Sequence, residues 1–278
     1  MNNTFTLERT VAGLLLKNKI GLLKDGNIVN LIKQSVLGCV VDPIRSIRRT
    51  SATLISSILR IQGFESWQGI ITFVDQQIKS NLLNKNNIGV DGFLCTLELI
   101  CEDCNREIQI SPQKPLNLIM PTLIELLKMS EKNILKSCLT SINSFIIDMP
   151  QAFVVLSEKF LQNIFALAVK QEMDSEVVIE LCKSFNLICD NKISLVEPFL
   201  SQIIKWMMLK TKSDDEDIAM EASNFWQIIT DTEYIEYRHI LAPNVESYSF
   251  FLFFFFFFFF FCFCFFLVLF YFYLVLFY

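Results

Sequence analysis

Histidine is nearly absent from this chain of 278 residues, which contains only His239. Nucleophilic catalysis of the Ser/His/Asp kind therefore has no general base. His239 has no nucleophile signature near it and reads as a solvent-exposed side chain. Glycine (8) and proline (7) are also sparse. Neither GxGxxG nor GxxxxGK[ST] occurs, so no loop is expected to cradle phosphates. No run of alternating apolar and polar residues is long enough to make a sheet. Basic excess is missing too: 24 Lys and Arg face 29 Asp and Glu, a net charge of −5. That argues against a nucleic-acid-binding surface. Met1-Asn2-Asn3-Thr4 shows no basic region leading into an apolar one, so a secretory signal is not expected. Without catalytic, metal or cofactor signatures, the chain does not read as an enzyme.

Cysteine is not scarce; there are nine. Cys262 and Cys264 lie near the C-terminus. Cys39, Cys95, Cys101, Cys104, Cys138, Cys182 and Cys189 fall inside apolar helical patterns, which fits reduced core residues better than a disulfide scaffold. Cys101-Glu102-Asp103-Cys104 is a CxxC, but zinc would want a second pair or two histidines. A core role is the expectation for both cysteines.

What is abundant is helical periodicity. The apolar residues that open the second helix of successive pairs are Ile47, Val90, Ile134, Val177 and Ile218, spaced by 43, 44, 43 and 41 residues. Two helices in about 40–47 residues is the HEAT/armadillo pattern, in which neighbouring pairs stack to share a core. The spacing predicts a lone helix over 7–19 and then pairs at 27–41 with 44–63, 67–83 with 88–107, 116–129 with 132–148, 155–169 with 175–190, and 195–210 with 215–231. A further repeat begins at 233–245. Pro43, Pro115 and Pro198 fall near helix starts, where a missing N–H costs little. Asp42, Asp174 and Asp214 are the expected caps of second helices. The expected fold class is all-α: an α-solenoid of about five to six HEAT repeats with a phenylalanine-rich C-terminal tail.

The helix around 90–104 divides its faces clearly. Val90, Leu94, Leu97, Cys101 and Cys104 follow the spacing of a buried stripe. Asp91, Cys95, Glu98 and Glu102 follow the same spacing one position along, giving an acidic ridge beside the core. The run Asp214-Asp215-Glu216-Asp217 sits just before a helix, where capping is the plain explanation.

Several segments resemble the transportin-type branch of the importin-β (karyopherin-β) family, in the family's order. They are Gly13-Leu14-Leu15-Leu16-Lys17-Asn18, Ile47-Arg48-Arg49-Thr50, Ile100-Cys101-Glu102-Asp103, Pro115 to Pro121, Asn163 to Ala168, and Glu221-Ala222-Ser223-Asn224-Phe225-Trp226. Departures include Gln68-Gly69 after Trp67, where the family has proline. The resemblance runs from about Thr4 to Val245 and implies the N-terminal part of a nuclear import receptor. It implies docking of the small GTPase Ran in its GTP form on the inner helices of early repeats. Asp91, Glu98, Glu102 and Arg48 are the candidate contact residues. In the full-length family, cargo with a nuclear localisation signal and nucleoporins are further partners, and the protein occupies cytoplasm and nucleus. The resemblance covers neither the acidic loop nor the cargo arch. A generic HEAT scaffold is the alternative.

The remaining feature is the tail. Hydrophobic residues make up 53 % of the chain and mean hydropathy is +0.43. Much of this comes from Phe250–Tyr278, which carries no charge and holds an unbroken phenylalanine run from Phe253 to Phe261. Its length would allow a membrane span, making a membrane-anchored helical protein a further alternative. Yet natural spans favour residues that pack, and near-uniform phenylalanine does not. Phe is coded TTT, and Leu, Cys, Tyr, Val and Ser each have a codon one base away. Thymine-rich DNA read as coding sequence explains the composition more simply. The expected division is a solenoid over 1–245 and an apolar low-complexity tail over 246–278, a gene-model artefact.

Overall fold

The computed structural model describes residues 2–230, apart from Lys24 and Gln171. His239, the repeat starting at 233, the boundary at 245 and the tail lie outside the described residues. Within them there are thirteen α-helices. Helix α1 spans Asn2–Lys19. Five pairs follow: α2 (Gly26–Cys39) with α3 (Arg45–Gln62), α4 (Ile70–Leu83) with α5 (Asn87–Asp103), and then, after the short α6 (Asn105–Ile110), α7 (Leu116–Leu126) with α8 (Lys132–Ile146). After the single turn α9 (Gln151–Val154) come α10 (Ser157–Ala168) with α11 (Ser175–Lys192), and α12 (Leu200–Thr211) with α13 (Glu216–Thr230). None of the described helices is long and apolar enough to cross a membrane.

The second helices form a continuous layer in which α1, α3, α5, α8, α11 and α13 each pack on the next. The first helices form a looser layer beside it, with α4 on α7 and α7 on α10. Neighbour-on-neighbour packing of helix pairs is the α-solenoid arrangement. The stripe expected on α5 is its buried face: Val90, Leu94, Leu97, Cys101 and Cys104 are all at most 1 % exposed. Phe145, Phe153, Phe160, Phe185 and Phe225 are fully enclosed in later repeats. Burying each of these stabilises the fold by roughly 1.5–3 kcal/mol. A Cβ on Gly92 would sit 1.9 Å from the carbonyl oxygen of Val40. Only glycine lets α5 approach the end of α2 so closely.

Local chemistry sets the helix ends, and it shifts three expectations. Asp174 caps α11 as predicted, accepting from the Glu176 N–H at 3.2 Å. Asp42 acts one step earlier, accepting from the N–H of Ile44, the residue preceding α3, at 2.9 Å. At α13 the cap is Asp215, not Asp214: its carboxylate accepts from the N–H groups of Asp217 and Ile218 at 3.1 and 3.3 Å. Asp215 is the residue immediately before the first helical turn, where the free amides point. The single helix expected over 88–107 is broken at Cys104, whose φ of −125° is non-helical. On either side, Asp103 accepts from Ser56 and Asn105 donates to the Ser144 carbonyl. These bonds to neighbouring repeats favour the break. Pro198 likewise starts the last pair in 3₁₀ turns before α12.

Candidate partner-binding surface

Polar side chains on the second helices reach across to the next repeat at close to the repeat spacing. On α3, the Arg48 Nη2 lies 2.6 Å and its Nε 3.1 Å from Asp91 Oδ2 on α5. Its Nη1 donates to the Asp42 and Pro43 carbonyls at 2.8 and 3.1 Å. Arg48 is only 7 % exposed. One planar fork thus ties the loop before α3 to the start of α5. Further along, Ser137 on α8 donates to Glu98 on α5. Lys132 and Lys136 on α8 pair with Asp174 and Glu176 at α11, at 2.8 and 2.9 Å. Asn143 on α8 donates to the Glu180 carbonyl and carboxylate on α11 at 3.0 and 3.1 Å. Asn186 repeats that grip on Glu221 of α13 at 3.0 and 2.9 Å.

Three of the four predicted contact residues meet in one small recess of about 30 Å³. Arg48 comes from α3, and Asp91 and Glu98 from α5; Arg45 and Arg49 of α3 and Lys136 of α8 complete the charged lining. Glu102 lies one turn beyond Glu98 on α5, exposed and outside the lining. Asp91 and Arg48 therefore satisfy each other, whereas Glu102 is open to solvent.

Burial pushes the Glu98 carboxyl above its usual range, opposed by the Ser137 hydrogen bond and by Lys136 and Arg49. Glu102 is also raised, first by desolvation and then by repulsion from Glu98, Asp103 and Glu180. The acidic ridge thus runs onto α11 through Glu180, a buried carboxylate held by Lys183 Nζ at 2.7 Å. Glu180, Arg45, Arg49 and Lys136 were not expected from the sequence. The signal for Lys136 was there: Lys132 and Lys136 recur 42 and 40 residues before their acidic partners.

Cys101 and Cys104 are buried, and burial pushes both thiols up, Cys104 to about 11. Neither is a thiolate near neutral pH, so both behave as core side chains. Among the described residues no cluster of His, Cys, Asp and Glu is arranged to hold a metal ion.

No family model matches the chain. Among solved structures, that of an engineered protein aligns with a TM-score of 0.54 over 72 % of this chain and 84 % of its own. At 13 % identity that likeness concerns the fold alone. Among curated relatives, Transportin of Dictyostelium discoideum is 30 % identical over 229 residues, covering 81 % of this chain and 24 % of the relative. Transportin-1 of Mus musculus is 28 % identical over 223 residues, covering 78 % and 24 %. Importin subunit beta-2 of Schizosaccharomyces pombe is 26 % identical over 230 residues, covering 80 % and 25 %. The chain spans about a quarter of the length of these relatives. With a solenoid of paired helices and matches of this extent in three organisms, the chain is similar to about a quarter of the length of the transportin and importin subunit beta-2 proteins.

Proposed function

We propose that the chain forms the GTPase-binding part of a transportin-type nuclear import receptor, which in its full-length form carries proteins between cytoplasm and nucleus. The observation that carries this reading is the 30 % identity to Transportin across 229 residues. The stacked second helices, with charged side chains along one face, support it. The mechanism is conformational and involves no bond-making. Each repeat touches only its neighbours, so small rotations add up and the layer can wrap a partner.

Within this reading, Glu98 and Glu102 on α5 face basic residues of Ran in its GTP form. Opposite charge speeds encounter and fixes register more than it adds affinity. Arg48 and Asp91 contribute by holding α3 and α5 at the spacing the partner meets. Cargo and nucleoporins are partners of the full-length receptor.

A pull-down with the full chain tests this. GTP-loaded Ran should be retained more than GDP-loaded Ran, and Glu98→Lys with Glu102→Lys should weaken that retention. Equal retention of both nucleotide forms, or none, would leave a helical scaffold without GTPase specificity and overturn the proposal.

A further inference from the structure

The recess between α3, α5 and α8 carries the opposite sign to the chain as a whole. Four cations reach it, Arg45, Arg48, Arg49 and Lys136, against two carboxylates, Asp91 and Glu98. Two of the cations are already neutralised, Arg48 by Asp91 at 2.6 Å and Lys136 by Glu176 at 2.9 Å. Glu98 accepts from the neutral Ser137 hydroxyl and keeps its charge, which offsets part of that of nearby Arg49. That leaves Arg45 and Arg49, one turn apart on the same face of α3 and both exposed. Arg45 donates to the neutral Asn133 side chain at 3.0 Å. Among the described residues, neither has a carboxylate within ion-pair distance. The first turn of α3 holds no acidic residue, so its free amides add to the positive potential.

We propose that this recess receives an aspartate or glutamate side chain from an acidic segment of a protein partner. A guanidinium fork matches a carboxylate in plane and spacing. The free space of about 30 Å³ admits one small group. Asp91 and Glu98 in the walls oppose a phosphate dianion, and a net charge of −5 opposes a nucleic-acid strand. The inference rests on the reading of this face as a partner-binding surface. It adds that the partner must show an acidic side chain beside the basic ones that Glu98 and Glu102 take.

The test is fluorescence anisotropy of labelled hexaglutamate titrated with the full chain, with a thymidine hexanucleotide as comparison. Hexaglutamate should bind saturably and more tightly than the oligonucleotide. Arg45→Gln with Arg49→Gln should weaken it at least about tenfold. Arg60→Gln, which removes one charge in the last turn of α3, should leave it unchanged. Circular dichroism checks that the variants fold. Should the glutamine pair unfold, Arg45→Lys with Arg49→Lys keeps the charge, removes the fork, and should still weaken binding severalfold. Absence of saturable binding, an equal loss with Arg60→Gln, or equal binding of the oligonucleotide would overturn the inference. No GTPase is present, so this result stands or falls separately from the Ran pull-down.

Discussion

At Arg48 every arm of the guanidinium is occupied, by Asp91 on one side and by the Asp42 and Pro43 carbonyls on the other. Removing Asp91 leaves a buried cation without its counter-charge, whereas Glu102 has no such partner to strand. Asp91→Ala should therefore destabilise the chain by roughly 2 kcal/mol, and Glu102→Ala should change stability by under about 0.5 kcal/mol. Urea denaturation followed by circular dichroism measures both; equal effects would show that Asp91 is not structural. The sequence placed Asp91, Glu98 and Glu102 on one ridge correctly, because i, i+3 and i+4 spacing is a property of the helix itself. It did not separate the clamp from the open carboxylate. That distinction depends on which side chain arrives from the neighbouring repeat, and Arg48 lies 43 residues away.

At the scale of single elements, α5 concentrates the titration behaviour of the surface. Glu98 and Glu102 both have raised carboxyls when folded, chiefly through desolvation. A carboxyl raised on folding binds its proton more tightly in the native state. Its contribution therefore falls as pH rises through the window above the ordinary glutamate value of about 4.3. Glu98→Gln with Glu102→Gln should stabilise the chain at neutral pH relative to the parent, and the difference should vanish below the unfolded value. Thermal melts of parent and variant across that window provide the measurement; a difference that does not change with pH would refute it. Exposed carboxylates lowered by partners, such as Asp174 beside Lys132, act in the opposite sense, so only the variant-minus-parent difference isolates α5. The existence of the long helices was legible because apolar spacing reports it directly, whereas the single turn α9 was not expected. Helix ends were less legible. Whether Asp214 or Asp215 caps α13, and whether the helix breaks at Cys104, depends on backbone geometry and on bonds to the next repeat.

Across the whole molecule, stability is transmitted from neighbour to neighbour. Phe185 on α11 is fully buried, with ring centroids 5.4 Å from Phe165 and 5.5 Å from Trp206. It thus joins the last two pairs. Phe185→Ala should cost about 3–5 kcal/mol. In hydrogen exchange, α10 to α13 should lose protection while α3 to α5 keep theirs, as expected for a quasi-one-dimensional stack. Uniform loss of protection would instead show a single cooperative unit. The stacking itself was readable from a period near 43 residues, since repeats at that spacing have only their neighbours to bury against. The polar bridges between repeats have a further consequence: the repeats are not interchangeable parts. Lys136 on α8 meets Glu176 of its successor at 2.9 Å. Stacked on a copy of itself, α8 would offer Asn133 in that place, one period back from Glu176. Each helix pair therefore carries an address for the pair that follows, so a shuffled array of these same repeats would keep its apolar core and lose its order.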